Sequence, residues 1–197
     1  MSNMKKRGKI GEFFNRKSIK LGLLLISALL IATTSTNVYY GLLSESSVGI
    51  VEAKVHFTGG DDSTAAGYTP GANETYCRLS LNAYANVTLY YEQAVNITNT
   101  DAAAHDIRLR PVTISPTSGN ADVGNFTQID FKIVDKAGTT QRTLTYTTTG
   151  DSWDAVTPTA YITLPASTEW TIQIETRAAP GANKVSCWIE IAIDVDE

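Results

Sequence analysis

Residues 185–195 read Val-Ser-Cys-Trp-Ile-Glu-Ile-Ala-Ile-Asp-Val. In an extended chain, Trp188, Glu190, Ala192 and Asp194 fall on one side, and Ile189, Ile191, Ile193 and Val195 on the other. Successive strand side chains point to opposite faces, so this alternation specifies a strand with one face toward a core and the other toward water. Wound into a helix, the same residues would scatter charged and apolar groups around the axis.

The signature recurs towards the N-terminus. Tyr161–Leu164, Trp170–Ile174, Leu144 with Tyr146, Phe126 with Ile129, Phe131 and Ile133, and Ile107 with Leu109 and Val112 all read as strands. So do Val87–Ile97, Leu79–Ala83 and Val51–Phe57, each rich in β-branched, aromatic or alternating apolar residues. Turn-forming clusters separate them, among them Gly59-Gly60-Asp61-Asp62-Ser63, Pro70-Gly71-Ala72-Asn73, Lys136-Ala137-Gly138 and Pro180-Gly181-Ala182-Asn183. No long amphipathic helix is read after residue 36. Eight or nine short strands predict an all-β domain, a jelly-roll-like β-sandwich.

The first forty residues have a different composition. Residues 1–20 carry seven basic side chains, Lys5, Lys6, Arg7, Lys9, Arg16, Lys17 and Lys20, against Glu12 alone. The apolar run Leu21–Ala32 follows, then Thr33-Thr34-Ser35-Thr36-Asn37. A basic n-region, a short h-region and a small-residue stretch make a secretory signal over residues 1–36, with its apolar part expected as a hydrophobic helix. Twelve apolar residues fall short of the roughly 20 needed to span a bilayer. The alternative is an uncleaved anchor extended by Val38–Leu43. The expectation is therefore a secreted, cell-surface chain that meets a membrane only through its leader before cleavage.

Removing the leader changes the electrostatics. From Asn37 onward nine basic residues face nineteen acidic ones, a net charge of −10. A nucleic-acid partner is not expected, because phosphate binding needs clustered Lys and Arg. Identical copies repel one another, so any polymer needs specific contacts. Cys77 and Cys187 are the only cysteines, and an even count in an exported chain predicts one disulfide between them. Four Asn-X-Thr triplets, at Asn73, Asn86, Asn96 and Asn125, are candidate N-glycan acceptors.

No enzyme is expected. The two histidines, His56 and His105, lie far apart, with no His-Glu-x-x-His and no Gly-x-Ser-x-Gly. His56 reads as a strand residue and His105 as a loop residue. Asp61 and Asp62 match no calcium-loop spacing and read as a solvated turn. Glu190, Asp194, Asp196 and Glu197 read as a solvated strand end. Trp153, Trp170 and Trp188 are expected to pack in the core. No cofactor or metal is implied.

Residues 38–57, VYYGLLSESSVGIVEAKVHF, are the most ambiguous. A chain end this apolar and β-prone needs a sheet to join. The simpler reading is the first strand of its own domain; the other is a strand added to a neighbouring copy.

Several stretches together resemble the TasA/camelysin group of biofilm-fibre proteins and the similar archaeal bundling pilins. They are the leader, the aromatic-containing segment after it, Ser46-Ser47-Val48-Gly49-Ile50-Val51, Ala94–Thr100 with Ile107-Arg108-Leu109, and Leu164–Trp170. The resemblance implies a jelly-roll subunit whose N-terminal segment is donated to the next copy in a head-to-tail homopolymer, a filament supporting adhesion or bundling. The candidate donor side chains are then Val38, Tyr40, Leu42, Leu43, Val48 and Ile50. Residues 37–57 become the donor or first strand, and residues 58–197 the β-sandwich. The protease activity in camelysin's description is not carried over, since no metalloprotease motif is present. The competing expectation is a membrane-anchored, monomeric Ig-like domain that binds a glycan or a protein.

Overall fold

A computed structural model describes residues 53–196, within a compact unit running from Val51 to Glu197. The leader and the six candidate donor residues lie outside the described residues.

The described chain is all-β apart from one 3-10 turn, Val123–Asn125. Its strands are β1 (Val55–Gly59), β2 (Thr69–Pro70), β3 (Tyr76–Ala83), β4 (Thr88–Asn99), β5 (His105–Ser115) and β6 (Phe126–Val134), followed by β7 (Thr140–Thr149), β8 (Ser152–Trp153), β9 (Ile162–Leu164), β10 (Thr168–Ala178) and β11 (Val185–Asp196). Every run singled out in the sequence forms a strand, although Val51 and Glu52 of the first lie outside the described residues. The two that were not foreseen, β2 and β8, are two residues long and sit inside turn clusters, too short to carry a period. His105 opens β5 rather than lying in a loop.

The strands form two antiparallel sheets. One has the order β1-β4-β10-β6-β7-β8, the other β2-β3-β11-β5-β9. Their inner faces share one core. Phe57, Ile97, Phe131, Leu144, Ile172 and Ile174 come from the first sheet, and Leu79, Leu81, Ile107, Leu109, Ile189 and Ile191 from the second. The alternation along β11 is realised as read: Cys187, Ile189, Ile191 and Ile193 are buried, while Trp188, Glu190 and Asp194 are partly exposed.

Two polar links tie the sheets together through Asn82 of β3. Its backbone N–H donates to Tyr91 Oη at 3.1 Å, and its carbonyl accepts from Thr176 Oγ1 at 2.6 Å. Tyr91 and Thr176 are buried residues of β4 and β10, so these bonds satisfy groups that would otherwise lose their hydration. Pro111 sits within β5 although it has no N–H for the ladder. The β11–β5 register shifts between Glu190 and Ile191, where Thr113 and Pro111 are their partners. A bulge is where a proline is tolerated in a paired strand. Gly60 is needed for a different reason: a Cβ there would lie 2.1 Å from Gln93 O.

The predicted disulfide is not formed, and the register explains why. Both cysteines are buried and free. On the adjacent strands β3 and β11, Cys77 faces Ile191 and Cys187 faces Leu81. The four-residue offset separates them by roughly 13 Å along the strands, whereas bridged Cα atoms lie within about 7 Å. Burial pushes the Cys187 thiol up to about 12 and that of Cys77 higher still, which leaves little reactive thiolate. We expect two free thiols per chain that react with a thiol reagent only in denaturant; one titratable thiol or none would contradict this register.

Candidate functional site

The features suited to recognition are strand edges and the outer faces of the two sheets. A strand edge exposes unpaired N–H and C=O groups that can accept another strand. On β7, Gln128–Val134 of β6 pair one flank. The other flank is covered by β8 only at Thr148 and Thr149, with Asp154 N–H donating to Thr147 O at 2.9 Å. Residues 140–146 therefore have no strand on that second flank among the described residues. This flank has high β-propensity and no proline; the devices that blunt it are one charge, Arg142, and a register shift that leaves Gln141 as an extra residue. In the second sheet, β9 covers β5 at His105, Asp106 and Ile107, and Thr159 bonds Leu109 through both its N–H and its Oγ1. Beyond that point the flank is open among the described residues. β1 is itself an edge strand, paired with β4 alone.

The outer face of the second sheet is chemically mixed. Arg78 donates from Nε and Nη2 to Glu190 Oε1 at 3.0 and 2.7 Å, and its guanidinium lies 4.4 Å from the centre of the Trp188 ring. Arg108 and Arg110 donate from Nε to the two oxygens of Asp194 at 3.0 and 2.9 Å. Arg108 also lies 4.7 Å from the centre of the Tyr161 ring. A groove of about 430 Å³ crosses this face between Tyr76 and Val112, floored by Ala192 and flanked by Arg110 and Glu190. Glu190 and Asp194 are thus paired rather than simply solvated, and Trp188 stacks on an arginine outside the core. Trp170 is buried as foreseen, and Trp153 packs half-buried against Phe126 and Tyr146.

Burial alone would raise the Asp194 carboxyl, but hydrogen bonds from Arg110 and Arg108, reinforced by their charges, hold it below the usual carboxylate range. A depressed folded pKa stabilises above the unfolded value of about 3.9 and is lost as pH falls through the folded value. We expect Asp194→Asn to cost about 1 kcal/mol at pH 7. Urea midpoints of the two proteins should converge in strong acid. An equal gap at both pH values would mean that the pairs do not matter.

The outer face of the first sheet holds two buried carboxylates. Asp130 of β6 and Glu175 of β10 are direct cross-strand partners, 5% and 6% exposed. Like charges so placed repel unless cations and donors surround them. Lys132 pairs with Glu175, and Arg177 Nη2 lies 3.4 Å from its other oxygen. Asp130 accepts from Gln128 Nε2 at 2.6 Å and Thr145 Oγ1 at 2.7 Å. Sequence reasoning missed this cluster, because neither carboxylate has a motif and only the register brings them together.

The remaining residues are dispersed. His56 of β1 lies 4.0 Å from Glu74, and His105 Nε2 donates to Asp101 Oδ2 at 3.1 Å, each pair on its own. Asp62 is more than a solvated turn residue: its Oδ2 accepts from the backbone of Glu92 and Gln93 at 2.8 and 3.2 Å. No group of three or more His, Cys, Asp or Glu able to hold a metal occurs among the described residues. Of the four triplets, Asn73 lies before β3, Asn86 between β3 and β4, Asn96 within β4, and Asn125 at the end of the 3-10 turn.

No protein-family model and no curated protein matches this chain.

Proposed function

We propose that the protein is a secreted structural subunit that polymerises head-to-tail by strand donation into an extracellular filament supporting adhesion or bundling. The observation that carries this reading is the uncovered flank of β7 at residues 140–146. A strand from another copy added there would gain main-chain hydrogen bonds. Residues 38–51 are the part of the chain with the β-branched and aromatic content to supply it, three residues before β1. The donor side chains are Val38, Tyr40, Leu42, Leu43, Val48 and Ile50. In this reading the two sheets form a jelly-roll-type sandwich, and residues 1–36 are removed on export. A contact that uses different surfaces on the two copies does not close on itself and generates a fibre.

Electron microscopy of native surface material, with N-terminal sequencing of the mature chain, tests the proposal. Filaments of this chain starting near Asn37 support it. Surface material that keeps its leader and forms no filaments would sink it.

The groove between Tyr76 and Val112 favours a second reading, an anchored monomeric domain that binds a glycan or protein. An aromatic wall beside Arg110 and Glu190, each held by its own ion pair, suits a polyhydroxylated ligand. Glycan-array binding that is lost in Tyr76→Ala, by a chain that stays monomeric, would select this alternative.

A further inference from the structure

The four Asn-X-Thr triplets differ in how the fold holds them, and we propose that Asn73 and Asn86 are the N-glycan acceptors while Asn96 and Asn125 remain bare. The inference rests on the export proposed above. Glycan transfer needs an asparagine amide that is free to react and a hydroxyl two residues on that the transferase can read. At Asn73 and Asn86 both conditions are met. Both asparagines are exposed, in the turns that precede and follow β3. Asn86 has a φ of 60°, the left-handed geometry that asparagine tolerates at the tip of a tight turn. Tyr84 and Val87 bridge across that tip. The hydroxyls of Thr75 and Thr88 have no hydrogen-bond partner among the described residues.

The other two are tied down. Asn96 lies within β4, between β1 and β10, and its Oδ1 accepts from Thr171 Oγ1 at 3.2 Å. Its partner hydroxyl, Thr98 Oγ1, donates to Glu169 Oε2 at 3.1 Å and lies 3.2 Å from Thr58 Oγ1. Asn125 is partly buried, and its backbone carbonyl accepts from Ala179 N–H at 2.8 Å, which fixes the chain at the site. Its partner hydroxyl, Thr127 Oγ1, donates to the Arg177 carbonyl at 3.2 Å. Opening such bonds to present either site costs roughly tenfold or more in the population available to a transferase.

The donor is an oligosaccharide carried on a polyprenyl phosphate or diphosphate. The Asn Nδ2 attacks the anomeric carbon, and a C–N bond forms as the anomeric C–O bond breaks. The lipid phosphate leaves with the electron pair, and the amide proton passes to a base of the transferase. The two acceptors stand at opposite ends of β3, so their glycans would crown the ends of that strand.

Glycopeptide mapping of the native chain, combined with cell fractionation and N-terminal sequencing, tests this without any variant. Glycan should occupy Asn73 and Asn86, with roughly tenfold lower occupancy at Asn96 and Asn125. Asn73→Gln and Asn86→Gln should each remove one glycan's mass, whereas Asn96→Gln and Asn125→Gln should change nothing. A surface-located chain without its leader that is glycosylated chiefly at Asn96 or Asn125, or at none of the four, overturns the assignment and leaves export standing. A chain held in the cytoplasm with residues 1–36 intact overturns export and the assignment with it.

Discussion

A chain that begins at Ala53 is expected to stay monomeric under conditions where a chain that begins at Asn37 forms filaments. The truncated chain keeps the whole described core, since every residue of that cluster falls between Val55 and Val195, so it should unfold at a similar temperature. What it loses is the segment of residues 38–51. Alternate strand side chains face the same way, so Val38, Tyr40, Leu42, Val48 and Ile50 would fall on one face of an extended donor and Leu43 on the other. At about 1.5–3 kcal/mol for each large apolar side chain, the five on one face supply roughly 8–15 kcal/mol if all are buried, and each main-chain hydrogen bond adds about 1 kcal/mol. Opposing this is the repulsion between chains of net charge −10, which salt screens over about 8 Å at physiological ionic strength. Assembly should therefore strengthen with added salt. A single charge on the buried face of the segment, Leu42→Asp or Ile50→Asp, should abolish filaments without altering the thermal midpoint of the domain. Sedimentation and electron microscopy give the readout. Filaments formed by the Ala53 chain, or a persistently monomeric Asn37 chain at high concentration and neutral pH, would refute strand donation.

The sequence reveals the elements of this fold better than their partners. Nine alternating runs become nine strands because period-2 patterning is local and survives in any sheet. The order of strands does not follow from it. β10 lies between β4 and β6, a pairing between residues far apart in the chain that no local signal encodes. The cysteines illustrate the same gap. Their number suggests a bridge, and both do lie on adjacent strands, yet a register four residues out keeps them apart. Asp130 and Glu175 are the converse case, unremarked in sequence and placed opposite each other by pairing. The arginines of the second sheet were half visible: Arg108 and Arg110 alternate with Ile107 and Leu109, which fixes their face. Their partner Asp194 appeared to be a solvated residue because the neighbour of β11 was unknown. For the proposed assembly, the apolar segment was legible from composition, whereas the open flank of β7 required the sheet order.

Phe131→Ala is expected to cost about 3–5 kcal/mol of stability, the range for deleting a buried aromatic ring. Phe131 is fully buried, on a strand paired on both sides, opposite Ile174 and Leu144. Its ring packs edge-on to Tyr146, with centroids 5.8 Å apart, so truncation removes apolar area and an aromatic contact and leaves a void that strands on both sides restrain from collapsing. For a domain of this size the thermal midpoint should fall by on the order of 10 °C. Tyr146 provides the internal control. Its hydroxyl is buried and lacks a partner among the described residues, and burial raises its pKa well above that of a free tyrosine. An unpartnered buried hydroxyl costs about 1–3 kcal/mol, so Tyr146→Phe should keep the packing, shed that cost and raise stability. Thermal and urea unfolding of both variants reads the pair of effects. A mild loss in Phe131→Ala would mean that the core is not closed around this strand, and a large loss in Tyr146→Phe would mean that the hydroxyl has a partner in solution.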